Sequence, residues 1–124
     1  MTVHVVDASA LLAFLEREPG SDIVERVLTA GETVVGAANW SEIAQKLLAH
    51  GRNWDFARGL VISYGITIEP VTAEDAELAA QLWERGTALS LADRLCLALG
   101  ARLDAPVITA DQAWQGRERV TLIR

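Results

Sequence analysis

Short, β-branched apolar runs recur along this chain, and each is followed by a stretch of about a dozen residues carrying helix start and stop signals. Val3-His4-Val5-Val6 ends at Asp7 and leads into a helix from Ser9 to Glu16, stopped by Pro19-Gly20. Ser21 or Asp22 can cap a second helix to Thr29, and Gly31 ends it before a strand from Thr33 to Gly36. Asn39 reads as the cap of a helix reaching His50-Gly51, and a further helix runs from Asn53 to Tyr64. Ile66 to Glu69 is a third strand, Thr72 caps a helix to Arg85, and Ser90 caps one to Leu103. Ala105 to Thr109 is a fourth strand, Asp111 opens a short helical segment, and Val120 to Ile123 is a candidate closing strand.

This alternation restricts the fold class to α/β: a three-layer α/β/α arrangement around a central, mostly parallel sheet of four to five strands. The 124 residues fit one domain spanning 1–124, because no linker, low-complexity tract or repeat divides them. Apolar residues make up 51%, enough for a sizeable core. No apolar run approaches the roughly 18–20 residues of a membrane span. The apolar stretch from Val3 to Leu15 is interrupted by Asp7 and lacks a preceding basic region, unlike a secretory leader. Cys96 is the one cysteine, which removes intrachain disulfides and cysteine-rich zinc sites and makes a reducing cytoplasm the expected location. The net charge of −6, with 17 acidic against 11 basic residues, argues against bulk electrostatic binding of nucleic acid. An enzyme meeting nucleic acid through a bound metal is compatible with it.

Open parallel sheets bind ligands beyond the carboxyl ends of their strands. Asp7 ends the first strand, Glu42 falls near the start of the helix after the second, Asp93 follows the Ser90 cap, and Asp111 follows the fourth strand. Singly, each has an ordinary explanation. Asn39-x-x-Glu42 and Ser90-x-x-Asp93 fit capping boxes, as does Thr72-x-x-Asp75, and Asp7 and Asp111 fit helix caps. Capping gives no reason for four carboxylates to share one rim, where they would repel and raise one another's pKa. A hard divalent cation, Mg²⁺ or Mn²⁺, relieves that repulsion and bridges to phosphate. Without these four charges the net −6 becomes −2, so most of the acidity sits in the candidate site.

Val5-Val6-Asp7-Ala8-Ser9-Ala10-Leu11-Leu12, Ser41-Glu42, Ser90-Leu91-Ala92-Asp93 and Ile108-Thr109-Ala110-Asp111 occur in an order that resembles PIN-domain proteins, and the small size is most similar to the VapC toxins of toxin–antitoxin pairs. The resemblance implies a metal-dependent endoribonuclease acting on single-stranded stretches or on structured tRNA, rRNA or mRNA. It implies one or two Mg²⁺ or Mn²⁺ ions held by Asp7, Asp93, Glu42 and Asp111, with Asp7 and Asp93 closest. Ser9 and Thr109 correspond to hydroxyls that orient a carboxylate or water; Ser9 as a plain helix cap is the alternative. A cognate antitoxin and a homodimer are the implied partners.

Other residues carry less. Cys96 sits in an apolar helix segment and reads as a small hydrophobe, with His4 in the first strand and His50 at a helix end. Lys46, the only lysine, follows Glu42 by one turn and reads as an ion pair or as a phosphate contact. Of the four tryptophans, Trp40 and Trp114 flank the expected rim, where contact with RNA or a partner competes with packing. The segment Ala10 to Leu15 is apolar nearly all round, so it is sandwiched in the core or covered by a partner. Two competing functions remain: a catalytically inactive PIN-like interaction module, and a phosphoacceptor receiver-like domain, against which Lys46 is in the wrong place.

Overall fold

The computed structural model describes residues 2–124. Five parallel strands form one sheet in the order β3-β2-β1-β4-β5. They are β1 (Val3–Val6), β2 (Glu32–Gly36), β3 (Thr67–Glu69), β4 (Val107–Thr109) and β5 (Val120–Leu122). The sheet is therefore wholly parallel. Helices α1 (Ala8–Leu15) and α2 (Ser21–Ala30) link β1 to β2, and α3 (Ala37–Ala49) and α4 (Trp54–Ser63) link β2 to β3. Helices α5 (Ala73–Gln81) and α6 (Leu91–Leu103) carry the chain from β3 back across to β4. A single 3₁₀ turn, Gln112–Trp114, joins β4 to β5.

Strand side chains alternate between faces, and the core divides accordingly. Val6, Val35 and Ile108 pack with residues of α1, α2, α3 and α4 on one face. Val5, Val34 and Val107, neighbours in register across β2, β1 and β4, pack against Cys96 and Leu99 of α6 and Trp114 on the other. This is the expected three-layer arrangement. Gly100 lets α6 approach β4 closely, since a methyl there would overlap Val107. The strand order reverses between β1 and β4, so the chain leaves these two strands in opposite directions and opens a crevice at their carboxyl ends. The receiver-like alternative has a different order, 2-1-3-4-5, and is set aside on that ground.

Some boundaries differ from the sequence expectation. Helix α3 starts after Gly36 rather than at Asn39, because Gly36 already has the extended backbone of a cap. Asn39 is thus inside the helix and Glu42 lies in its second turn. Helix α5 stops at Gln81, short of Arg85, and the 82–90 connection contains Gly86 in the left-handed region. Gly20, rather than Ser21 or Asp22, precedes α2, at a φ of 93° that favours glycine.

Candidate metal centre at the carboxyl rim of the sheet

The four carboxylates expected from sequence meet around one cavity of about 180 Å³, lined also by Ser9, Leu12 and Lys46. Asp7 leaves β1 at the switch point and caps α1. It is only 3% exposed. Its Oδ1 accepts from the Ala10 amide and the Ser9 hydroxyl, both at 2.8 Å, and its Oδ2 accepts from Thr109 Oγ1 at 2.7 Å. The two hydroxyls are oriented in turn by backbone donors. The Ala110 N–H donates to Ser9 Oγ at 2.9 Å, and the Asp111 N–H donates to Thr109 Oγ1 at 3.1 Å. Strand β4 and the start of α1 are thereby tied together through one carboxylate.

The other three share a design. Ser90 and Asp93 form a full capping box, in which Asp93 Oδ2 accepts from the Ser90 amide at 2.9 Å. Asp111 Oδ1 accepts from the Ala113 amide at 2.9 Å, opening the 3₁₀ turn. Glu42 Oε1 accepts from Asn39 Nδ2 at 3.1 Å. In each, one oxygen is anchored and the hydrogen bonds among the described residues leave the other uncommitted. Capping and site membership are therefore compatible: the cap fixes one oxygen and leaves its twin for the cavity. Asn39, which the sequence suggests as a helix cap, instead holds Glu42 from inside α3. It is buried, and its amide also reaches the Ala92 carbonyl of α6 at 3.4 Å, so α3, α6 and Glu42 are held in one register.

Electrostatics separate Asp7 and Glu42 from ordinary surface acids. Burial, partly opposed by the hydrogen bonds of Thr109, Ala10 and Ser9, pushes Asp7 up to about 6, with the charge of Asp93 adding to the rise. Burial also raises Glu42, against the Asn39 hydrogen bond and the charge of Lys46, while Asp93 raises it further. No salt bridge among the described residues neutralises any of the four, and Lys46 makes none with Glu42. The expected Glu42–Lys46 ion pair is absent at contact distance; Lys46 is exposed and faces the cavity. No three metal-ligating side chains among the described residues stand at ready-made coordination distance. Mutually repelling carboxylates around a polar space fit a hydrated Mg²⁺ or Mn²⁺, which retains several waters between itself and its ligands. Oxygen-only donors favour those hard cations over softer metals.

The remaining candidates resolve as packing. Trp114 is wholly buried, so it does not face RNA or a partner. Trp40 stacks edge-on against Trp54 with ring centroids 5.1 Å apart. Burial, with the nearby charges of Asp7, Asp93 and Glu42, drives the Cys96 thiol well above its ordinary pKa, which makes it a poor nucleophile. The apolar α1 is sandwiched between α2, α3 and β4, with Leu12 and Leu15 left part-exposed.

A second cavity, about 380 Å³, adjoins the first and shares Ser9, Leu12 and Lys46 with it. Beyond Lys46 it is lined by His50, Arg124, Glu16 and Glu18. On the outer side of α1, Leu15, Leu47, Phe56 and Leu60 line an apolar groove in which Phe56 is 71% exposed.

Comparison with known proteins agrees with this architecture. A toxin–antitoxin complex from Klebsiella pneumoniae contains a chain that superposes with a TM-score of 0.80 at 16% identity, over 98% of both chains. VapBC2 from Rickettsia felis, solved with a DNA fragment from its promoter, gives 0.69 at 12% identity over 98% of this chain and 97% of that one. VapC20 from Mycobacterium tuberculosis, described as a sarcin–ricin loop cleaving toxin, gives 0.67 at 15% identity over 86% and 87%. No curated protein sequence matches the chain. The PIN domain family model matches residues 4–118, a span that contains all four rim carboxylates, and the chain therefore belongs to the PIN domain family.

Proposed function

We propose that this protein is a metal-dependent endoribonuclease and the toxin of a toxin–antitoxin pair. The observation that carries the proposal is the buried Asp7, held at the strand switch point by Ser9 and Thr109, with three half-anchored carboxylates around the same cavity and no salt bridge to any of the four among the described residues. The family and the toxin complexes among its structural neighbours support the same reading.

Asp7, Asp93, Glu42 and Asp111 would hold one or two Mg²⁺ or Mn²⁺ ions, with Asp7 and Asp93 nearest. When bound, the ion supplies charge neutralisation at the phosphodiester and an acidified water for in-line attack. Asp7 is fixed by its hydroxyl pair, so its orientation does not depend on substrate. The uncommitted oxygens of Asp93, Asp111 and Glu42 would accept hydrogen bonds from water in the cavity and orient it toward the phosphodiester. Departure of the 3′-oxygen would leave 5′-phosphate and 3′-hydroxyl ends. A tRNA, rRNA or mRNA is the substrate class, with the cytoplasm as the place of action.

The apolar groove of Leu15, Leu47, Phe56 and Leu60 fits an apolar segment of a cognate antitoxin. A homodimer is expected by extension from the resembled toxins.

The deciding experiment is incubation of purified, partner-free protein with cellular RNA and Mn²⁺, beside Asp93→Asn, with 5′ ends mapped. Discrete 5′-phosphate cuts by the wild type alone are expected. Cyclic phosphates, full activity in EDTA, or no cuts from folded, metal-loaded protein would overturn the proposal, the last in favour of an interaction module.

A further inference from the structure

We infer that Lys46 is a substrate-positioning residue, holding the phosphate next to the one being cleaved and setting the path of the strand away from the carboxylate cavity. The inference rests on the nuclease proposal above and concerns a residue outside its acidic set.

Three observations converge on it. Lys46 lies on the shared wall of the two adjoining cavities, together with Ser9 and Leu12, so it stands where a strand would pass from one to the other. It is one turn beyond Glu42 on α3, with His50 one turn further, so a carboxylate, an ammonium and an imidazole succeed one another along one helix face. Most important is how charge is distributed in the second cavity. Glu16 is paired with Arg52 at 3.0 Å, and Glu18 lies 3.6 Å from Arg124, whose guanidinium also donates to the Pro19 carbonyl at 3.0 Å. Those charges are spent within the fold. Lys46 is the cation of this groove with no salt-bridge partner among the described residues.

An ammonium one turn from a carboxylate would ordinarily settle on it. Here Lys46 makes no salt bridge with Glu42 and remains exposed at the mouth. A polyanion whose reacting phosphate sits over the carboxylates brings its neighbouring phosphate to Lys46, the one basic side chain among the described residues that lines their cavity. An acidic protein gains such a contact without a broad basic surface. A purely structural role, in which Lys46 tunes Glu42 through space, is the competing explanation.

The test compares wild type, Lys46→Ala and Lys46→Arg on a fluorescein-labelled single-stranded RNA of mixed sequence. Binding is followed by anisotropy across a salt series, in EDTA and again in Ca²⁺. Cleavage is measured in parallel with Mn²⁺. Loss of one phosphate contact should reduce the slope of log K against log salt by about 0.7 in Lys46→Ala. It should also raise KM about tenfold with kcat within about twofold, and Lys46→Arg should restore both. An unchanged slope and KM overturn the inference, as does wild-type protein that binds RNA in neither condition. A change in Mn²⁺ affinity with the salt slope unaltered also overturns it, assigning Lys46 to Glu42 instead. The two proposals fail separately. Cleavage without any effect of Lys46→Ala removes only the positioning role, whereas a salt slope that falls in Lys46→Ala without cleavage by the wild type removes the nuclease and leaves Lys46 as an RNA-backbone contact.

Discussion

Asp7 and Asp75 are both aspartates at the start of a helix, and both are 3% exposed, yet their surroundings differ in kind. Burial pushes Asp75 up, but Arg102 meets it through two hydrogen bonds of 2.8 and 3.1 Å, and with the Thr72 amide holds it below the usual carboxylate range. The pairing raises Arg102 in return, and Arg102 also reaches Glu69 at 3.5 Å. Asp7 receives only neutral donors, and burial leaves it near 6. A buried carboxylate that brings its own cation ties α5 to α6 and is complete. One surrounded by hydroxyls, amides and further carboxylates would, under the proposed function, be completed by a cation arriving from outside. The contrast separates structure from function within a single residue type.

The sharpest way to break this comparison is to neutralise each acid or its partner. Asp7→Asn should abolish RNA cleavage, since it removes the proposed metal ligand, yet it should raise the stability of the metal-free protein at neutral pH by up to about 3 kcal/mol. Arg102→Met should do the reverse. It strands Asp75 in the interior and should cost about 3 kcal/mol of stability, with cleavage per folded molecule retained. Urea denaturation in EDTA beside Mn²⁺-dependent turnover checks both. If Asp7→Asn destabilised the metal-free protein as Arg102→Met does, Asp7 would be a structural acid like Asp75.

The pH dependence follows from the same pair. Because folding raises Asp7 from 3.8 to about 6, the folded state binds more protons than the unfolded one between those values. Stability of the metal-free protein should therefore fall as pH rises through that window, by about 2 kcal/mol between about pH 4 and 7 from this group. Asp75, whose folded pKa is lowered, acts in the opposite sense and below it: its contribution disappears as pH drops past the ordinary carboxylate value. Asp7→Asn should flatten the higher window, and saturating Mn²⁺ should reverse its slope for the wild type. A wild-type profile unchanged by either would refute the assignment of Asp7 as the uncompensated acid.

Effects one step removed from the carboxylates should be smaller. Ser9→Ala and Thr109→Val each remove a hydroxyl that donates to Asp7 while leaving its charge in place. Each should weaken Mn²⁺ binding or turnover by about 10–100-fold, in the range of groups that orient a metal ligand. Calorimetric titration of Mn²⁺ separates that from lost packing at Thr109, which is fully buried.

Much of this was legible before any coordinates. The alternation of apolar runs and helices led to the α/β layers, because a parallel sheet buried on both faces needs strands with apolar side chains on both sides, as Val34 and Val35 of β2 provide. Asp7, Asp93 and Asp111 were visible because a cap is a local event and its residue type and position are written in sequence. Glu42 was found for a partly mistaken reason, since Asn39 looked like a cap but is an interior amide. No short-range signal distinguishes the two, as both place Asn three residues before Glu. Trp114 stayed open between packing and contact for a similar reason: proximity to the rim in sequence does not say which face of the sheet a side chain enters. The partner of Asp75 lies 27 residues away, and only the packing of α5 on α6 reveals it.

The finest test lies in a motif the chain uses twice. Thr72–Asp75 and Ser90–Asp93 are both complete capping boxes, with the hydroxyl accepting from the third-position amide at 3.1 Å in each. In one, the carboxylate then turns to Arg102; in the other, it lines the cavity. Thr72→Ala and Ser90→Ala should each cost about 1 kcal/mol of stability, the ordinary loss of a cap. Ser90→Ala should in addition lower Mn²⁺ affinity, because Asp93 loses half of the reciprocal pair that aims its free oxygen. Thr72→Ala should leave that affinity unchanged. Equal stability losses with unequal metal binding would mean that one local motif has been put to two uses, decided by whether a cation is already present in the fold. Equal metal binding in the two variants would mean that the cap at Ser90 serves the helix alone, and that Asp93 finds its orientation only after the ion is bound.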